Sequence, residues 1–114
     1  EHKKVNRPWG WFETVDEGRN FKVKRILVNS GSKLSYQSHV FRNEHWVVVK
    51  GKATIIKDGA KSYLFEDQST YIKKGEKHQL INHENADLEI IEVQTGPKLK
   101  EEDISRYEDE YGRK

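Results

Sequence analysis

Three side chains with metal-ligand chemistry, Gln37, His39 and Glu44, stand close together between two turn glycines, Gly31 and Gly51. In an extended run, side chains two apart share a face, so Gln37 and His39 project together. Glu44 follows after a four-residue bend and opens the apolar run Trp46-Val47-Val48-Val49. A hairpin of this kind brings an amide, an imidazole and a carboxylate to one side of a strand pair. A fourth ligand has to come from elsewhere in the chain, and His78 is the candidate. The resulting mixed nitrogen and oxygen set suits one divalent first-row metal, Zn, Mn, Fe, Co or Ni, with positions left for water or substrate.

The composition narrows what can surround such a site. A chain of 114 residues fits a single domain, 1–114, with one core. The apolar fraction is 33%, but three Trp, five Tyr and four Phe bring large buried areas, so a compact core is attainable. Without cysteine, disulfides, thiolate nucleophiles and Cys-based zinc sites are excluded. The 21 basic and 19 acidic groups are mixed along the chain, so no single-sign field points to nucleic acid. Apolar stretches are too short for a membrane helix and no secretory leader opens the sequence, which makes the cytoplasm the expected location. The first residue is Glu and not Met, which is compatible with excision from a longer protein.

The elements that position the ligands are short. After a charged arm over 1–8 that reads as loose, β-branched and aromatic runs predict strands over 9–15, 21–28, 33–39, 44–50, 53–57, 61–65, 69–72, 78–82 and 88–94. Turn residues separate them, among them Asp58-Gly59, the dipeptide best suited to a tight hairpin. So many short strands imply an antiparallel sandwich or barrel. The tail departs from this pattern. Acids early in EEDISRYEDEY, followed by Ile104, Tyr107 and Tyr111 at helical spacing, predict a short amphipathic helix over 100–112.

Taken whole, the spacing Gly31, Gln37, His39, Glu44, Gly51 resembles the first motif of the cupin superfamily, with Gln in place of the usual first His. Gly75, His78 and Asn82 resemble its second motif, although Asp67 and Lys73 stand where that motif has Gly and Pro. The segments RPWGWFETV, FKVKRILV, LSYQSH, EHWVVVKGKA, STYIKKGEKH, LEIIEVQTG and ISRYEDEYGR are similar to the C-terminal domain of type II phosphomannose isomerases, usually fused behind a mannose-1-phosphate guanylyltransferase domain. That resemblance implies an all-β cupin barrel, often dimeric, and metal-dependent interconversion of mannose 6-phosphate and fructose 6-phosphate. It also implies a functional role for Arg42, which could hold a sugar phosphate or stabilise the enediolate. In those enzymes the residues after the second ligand are commonly His-His-Arg, whereas here they are Val40-Phe41-Arg42.

An aldose–ketose isomerisation of this kind needs a polarised carbonyl, supplied by the metal, and one base. The sequence does not single out the base: His45 adjoins a ligand and so faces the other way, and His83 reads as a loop residue. A phosphate needs fixed cations. Lys24 and Arg25 alternate along one strand, so one of them faces inward, while Lys98, Lys100 and Arg106 reach the mouth only if the tail folds back. No Gly-rich phosphate loop is present to support nucleotidyl transfer. Expected partners are therefore a small sugar phosphate and a second copy of the chain, without nucleic acid or membrane. The rival readings are a non-catalytic sugar- or nucleotide-sugar-binding cupin, a metal-dependent cupin oxygenase and a metal-free sugar epimerase.

Overall fold

A computed structural model describes residues 3–108, which form two facing antiparallel sheets and no helix. The first sheet runs in the order β1 (Lys4–Arg7), β2 (Gly10–Glu17), β3 (Phe21–Val28), β10 (Leu88–Thr95), β5 (Asn43–Lys50), β8 (Ser69–Ile72). The second runs β11 (Ser105–Glu108), β4 (Tyr36–Ser38), β9 (His78–Ile81), β6 (Ala53–Lys57), β7 (Ala60–Leu64). Strands adjacent in sequence repeatedly land in opposite sheets, which closes the pair into the all-β barrel expected of the cupin pattern. The β6–β7 turn carries Asp58 and Gly59, both at positive φ, as a tight hairpin on that dipeptide requires.

Three expectations are corrected. The segments carrying Gln37 and Glu44 do not form a hairpin: β4 pairs with β9 and β11, and β5 with β10 and β8, so the bend between them crosses from one sheet to the other. The arm over 1–8 is not loose along its length: Lys4–Arg7 pairs antiparallel with β2, Val5 opposite Phe12 and Arg7 opposite Gly10. The helix expected over 100–112 is not formed by its described part. Ser105–Glu108 pairs instead with β4, with Arg106 opposite Gln37. The reason is that β4 has β9 on one side only, and its free edge takes up the backbone groups of the tail. Spacings of three and four then give way to alternation: Ile104 and Arg106 face the barrel interior, while Tyr107 packs edge-on against Tyr36 and shares a hydrogen bond with Ser38 Oγ at 2.8 Å. Residues 109–112 of that expected helix lie outside the described part.

The inward faces of the strands change character along their length. Val28, Val48, Ile55, Leu80, Leu88 and Ile90 are almost fully buried and fill one end of the barrel. Towards the other end the same faces carry Lys24 on β3, Glu44 on β5, His78 on β9, and Glu92 and Gln94 on β10, all buried. Register aligns them: Glu92 stands opposite Lys24 and Trp46, and Gln94 opposite Glu44. One end is thus a hydrophobic core, and the other a polar interior that must satisfy its own hydrogen bonds. Gly96, just beyond β10, permits the close passage of the chain around Arg42, since a Cβ there would run into the Phe41 carbonyl.

Candidate active site

The polar end encloses a cavity of about 130 Å³. His39 and Glu44 line it, and His78 joins them, with one ligand atom from each of the three lying within 4.8 Å of the others. Gln37 lines the same cavity and is the register partner of His78 across β4 and β9. The four residues singled out by spacing are therefore neighbours in space.

Hydrogen bonds fix how the imidazoles face. His39 Nδ1 lies 2.6 Å from the Asp103 carbonyl, and His78 Nδ1 lies 2.9 Å from the Glu76 carbonyl. A carbonyl only accepts, so both Nδ1 atoms carry a proton and both Nε2 atoms face Glu44. His39 Nε2 is 3.3 Å from Glu44 Oε2, and His78 Nε2 is 3.9 Å from Oε1. Burial holds His39 neutral by lowering its pKa to about 4. Outer hydrogen bonds of this type set the tautomer that a metal-binding histidine needs.

Arg42 lies against the donor set. Its Nε donates to Glu44 Oε2 at 2.7 Å, its Nη2 donates to His39 Nε2 at 3.2 Å, and its Nη1 donates to the Lys100 carbonyl at 3.3 Å. Trp46 Nε1 donates to Glu44 Oε1 at 2.9 Å. Burial opposes the charge on Glu44, but the carboxyl is held below its usual range, with the charge of Arg42 the foremost opposing influence and its hydrogen bond adding to it. His78 Nε2 is buried and has no hydrogen-bond partner. A carboxylate and two imidazole nitrogens thus converge, and one of the nitrogens is left without a partner.

A second carboxyl completes the interior. Glu92 is pushed up to about 8, first by burial and then by the charge of Glu44. Gln94 Nε2 donates to its Oε1 at 2.7 Å. Of two carboxyl groups facing one another, Glu44 is ionised and Glu92 holds the proton.

The cations separate clearly. Lys24 is 4% exposed and lines the cavity. Its Nζ meets Glu101 Oε2 at 2.5 Å and lies 4.4 Å from the centre of the Phe12 ring. Arg25, expected as a substrate-binding alternative, lies on the opposite face of β3. There it pairs with Glu89 at 2.7 Å and Glu13 at 3.6 Å and stacks on Trp11, so strand alternation removes it from the site. Arg106 reaches the cavity from β11, Lys100 contributes a carbonyl, and Lys98 lies over the Phe41 ring. His45 and His83 are exposed.

Glu92, Glu101, Asp103 and Arg7 were not evident from motif spacing. A signal for Glu92 exists in LEIIEVQ: with Leu88 and Ile90 buried, period two carries Glu92 and Gln94 to the same face. No comparable signal marks Asp103, whose carboxylate accepts from the backbone of Val40 and Phe41 at 2.8 Å each.

Residues 1–109 match the family described as mannose-6-phosphate isomerase, C-terminal. Over 112 residues, 98% of this chain, the sequence is 50% identical to the xanthan biosynthesis protein XanB of Xanthomonas campestris pv. campestris. Over the same share it is 50% identical to the alginate biosynthesis protein AlgA of Pseudomonas aeruginosa and 46% identical to the mannose-1-phosphate guanylyltransferase ManC of Salmonella typhimurium. The chain spans about a quarter of the length of these relatives, 24%, 23% and 23%. Among solved structures, the capsular polysaccharide assembling protein CapF of Staphylococcus aureus superposes with a TM-score of 0.83 at 18% identity, over 95% of this chain and 33% of that one. KdgF from Halomonas sp. superposes at 0.78 and 15% identity, over 85% of this chain and 90% of that one. A double-stranded β-helix protein from Klebsiella pneumoniae gives 0.74 at 17% identity, over 85% and 83%. These likenesses establish the double-stranded β-helix, or cupin, fold.

Proposed function

The chain belongs to the mannose-6-phosphate isomerase C-terminal family, and on that premise we propose that it is a metal-dependent aldose–ketose isomerase acting on mannose 6-phosphate to give fructose 6-phosphate. The observation that carries the reading is the convergence of the His39 and His78 Nε2 atoms on ionised Glu44, beside a cavity lined by Lys24 and Arg42.

The donor set fits a divalent ion. His78 Nε2 is buried without a partner, and two imidazoles beside a carboxylate form a first-row ligand set, to which Gln37 adds an amide oxygen. Gln37, His39, Glu44 and His78 would hold one ion of the Zn, Mn, Fe, Co or Ni type. When bound, it would supply Lewis acidity towards the carbonyl and neighbouring hydroxyl oxygens of the open-chain sugar.

The chain's own residues do the rest. Arg42 brings a fixed positive charge to where negative charge develops on the sugar oxygens. Glu92 lines the cavity, and with a pKa raised to about 8 an ionised fraction exists near neutral pH; in that form it takes the proton from C2 and returns it to C1. The hydroxyl proton passes from O2 to O1, so the reaction is redox-neutral and no further reagent enters. A cavity of about 130 Å³ suits one small sugar phosphate better than a nucleotide sugar. The reading includes a homodimer in the cytoplasm, with neither nucleic acid nor membrane as partner. In support, the charges are of mixed sign, and no helix among the described residues is long and apolar enough to cross a membrane.

The test combines metal analysis with coupled detection of fructose 6-phosphate formed from mannose 6-phosphate. The expected result is about one ion per chain with turnover, and loss of both in the His39→Ala, His78→Ala double variant. A fully metallated sample without turnover overturns the isomerase reading.

A further inference from the structure

The cavity carries positive charge that the donor set does not use. Arg7 and Lys24, from β1 and β3, both lie against the Phe12 ring, at 5.3 Å and 4.4 Å from its centre. Both line the cavity. Arg7 donates through Nη1 to the Asn6 carbonyl at 3.0 Å, and among the described residues no carboxylate pairs with it. Its planar fork therefore has donors to spare in the same cavity as a buried ammonium group.

The partner of Lys24 is unusual in where it stands. A buried ammonium group needs an anion. Here the anion, Glu101, comes from the connection between β10 and β11 and not from the barrel wall, and its side chain is 53% exposed. Glu101 also lies 4.0 Å from Lys22, whose Nζ donates to the Leu99 carbonyl at 3.0 Å. The carboxylate thus neutralises a buried cation from a position it can leave by a movement of the connection alone. Lys24 is separated from the strand of Glu44 by β10, a span of two strand spacings, or about 10 Å. A six-carbon sugar phosphate can place its reacting end beside Glu44 and its phosphate beside Lys24.

We propose that Arg7 and Lys24 form a phosphomonoester subsite whose resting occupant is the Glu101 carboxylate, and that the substrate's phosphate displaces it. The subsite rests on the isomerase reading for the identity of the attached sugar. The anion chemistry rests on Arg7, Lys24 and Glu101 themselves. Arg7 supplies paired donors to two phosphate oxygens, and Lys24 supplies a point charge to the third.

The experiment is calorimetric titration of the metal-loaded full chain with inorganic phosphate and with mannose 6-phosphate. Arg7→Gln and Lys24→Gln are each expected to weaken both ligands by about tenfold or more, the loss of one charge-assisted contact, with metal content unchanged. Glu101→Gln, at an exposed position, is expected to shift inorganic phosphate the other way, tightening it by about threefold or more once the competing charge is gone. Because Lys24 is buried, circular dichroism checks that its variant folds; Arg7→Gln and Glu101→Gln decide the matter if it does not. Unchanged affinity in Arg7→Gln, weakened affinity in Glu101→Gln, or no phosphate binding by the unaltered chain overturns the subsite. If these shifts appear without turnover, the isomerase reading fails and the subsite stands. Turnover with unshifted affinities gives the reverse.

Discussion

The backbone carbonyl of Asp103 accepts the Nδ1 proton of His39 at 2.6 Å, across 64 residues of sequence. The same residue's carboxylate takes the backbone N–H groups of Val40 and Phe41 at 2.8 Å each. One residue thus fixes both the tautomer of a candidate ligand and the turn that leads from it to Arg42.

Asp103→Ala removes the two carboxylate bonds and frees the segment that presents the carbonyl. The expected result is a loss of about 2 kcal/mol in urea unfolding and a fall in metal affinity of about tenfold or more. Competition with a chelator of known affinity measures the second effect. Retained metal affinity would mean that His39 needs no such support.

Glu44→Gln tests the buried ion pair. Arg42 is 7% exposed, and removing the charge opposite it leaves a buried guanidinium uncompensated. The expected destabilisation of the metal-free chain is about 3–5 kcal/mol. Metal binding is expected to be lost as well, as inductively coupled plasma analysis would report.

The pH dependence of the metal-free chain follows from two buried groups. His39 falls from 6.5 to about 4 on folding, so the unfolded chain binds the extra proton between those values and stability rises with pH there. Glu92 rises from 4.5 to about 8, so the folded chain holds the extra proton and stability falls as pH rises through that window. Between about 4.5 and 6.5 the two trends oppose one another, and from about 6.5 to 8 only the fall remains. Urea midpoints of the metal-free protein should therefore drop between pH 6.5 and 8, by up to about 1.4 kcal/mol per pH unit. In Glu92→Gln that drop should vanish, and a rise below pH 6.5 should appear.

Arg25→Ala is the control for the neighbouring cation. Its partners, Glu13 and Glu89, lie on the outer face of the barrel. The expected outcome is an unchanged KM for mannose 6-phosphate in the coupled assay, since exposed pairs of this kind carry little energy.

Part of this candidate site is legible in the sequence, because side chains along an extended run obey simple parity. Gln37 and His39 share a face at a spacing of two, whereas Glu44 joins them from the facing sheet and not through a hairpin, because β4 and β5 pair with different neighbours. The choice between Lys24 and Arg25 was not legible, since each face of FKVKRILV carries both apolar groups and a cation. Only pairing with β10, whose Ile90 and Leu88 lie in the core, decides it. The tail misled for another reason. Ile104, Tyr107 and Tyr111 have helical spacing, but the open edge of β4 is a tertiary fact that local periodicity does not contain. The same holds for β1, where a charged segment finds order through its pairing with β2.

The connection between β10 and β11 has a kinetic consequence. Lys100, Glu101 and Glu102 are exposed, yet this connection and Asp103 supply the contacts to Lys24, Arg42 and His39. Segments with few buried apolar contacts open at low free energy, well below global unfolding. Amide exchange should therefore be fast at 100–102 and slow in β10 and β5, whose inward faces carry the core. Ligand entry would then be timed by the peeling of this short span, with the barrel itself remaining closed.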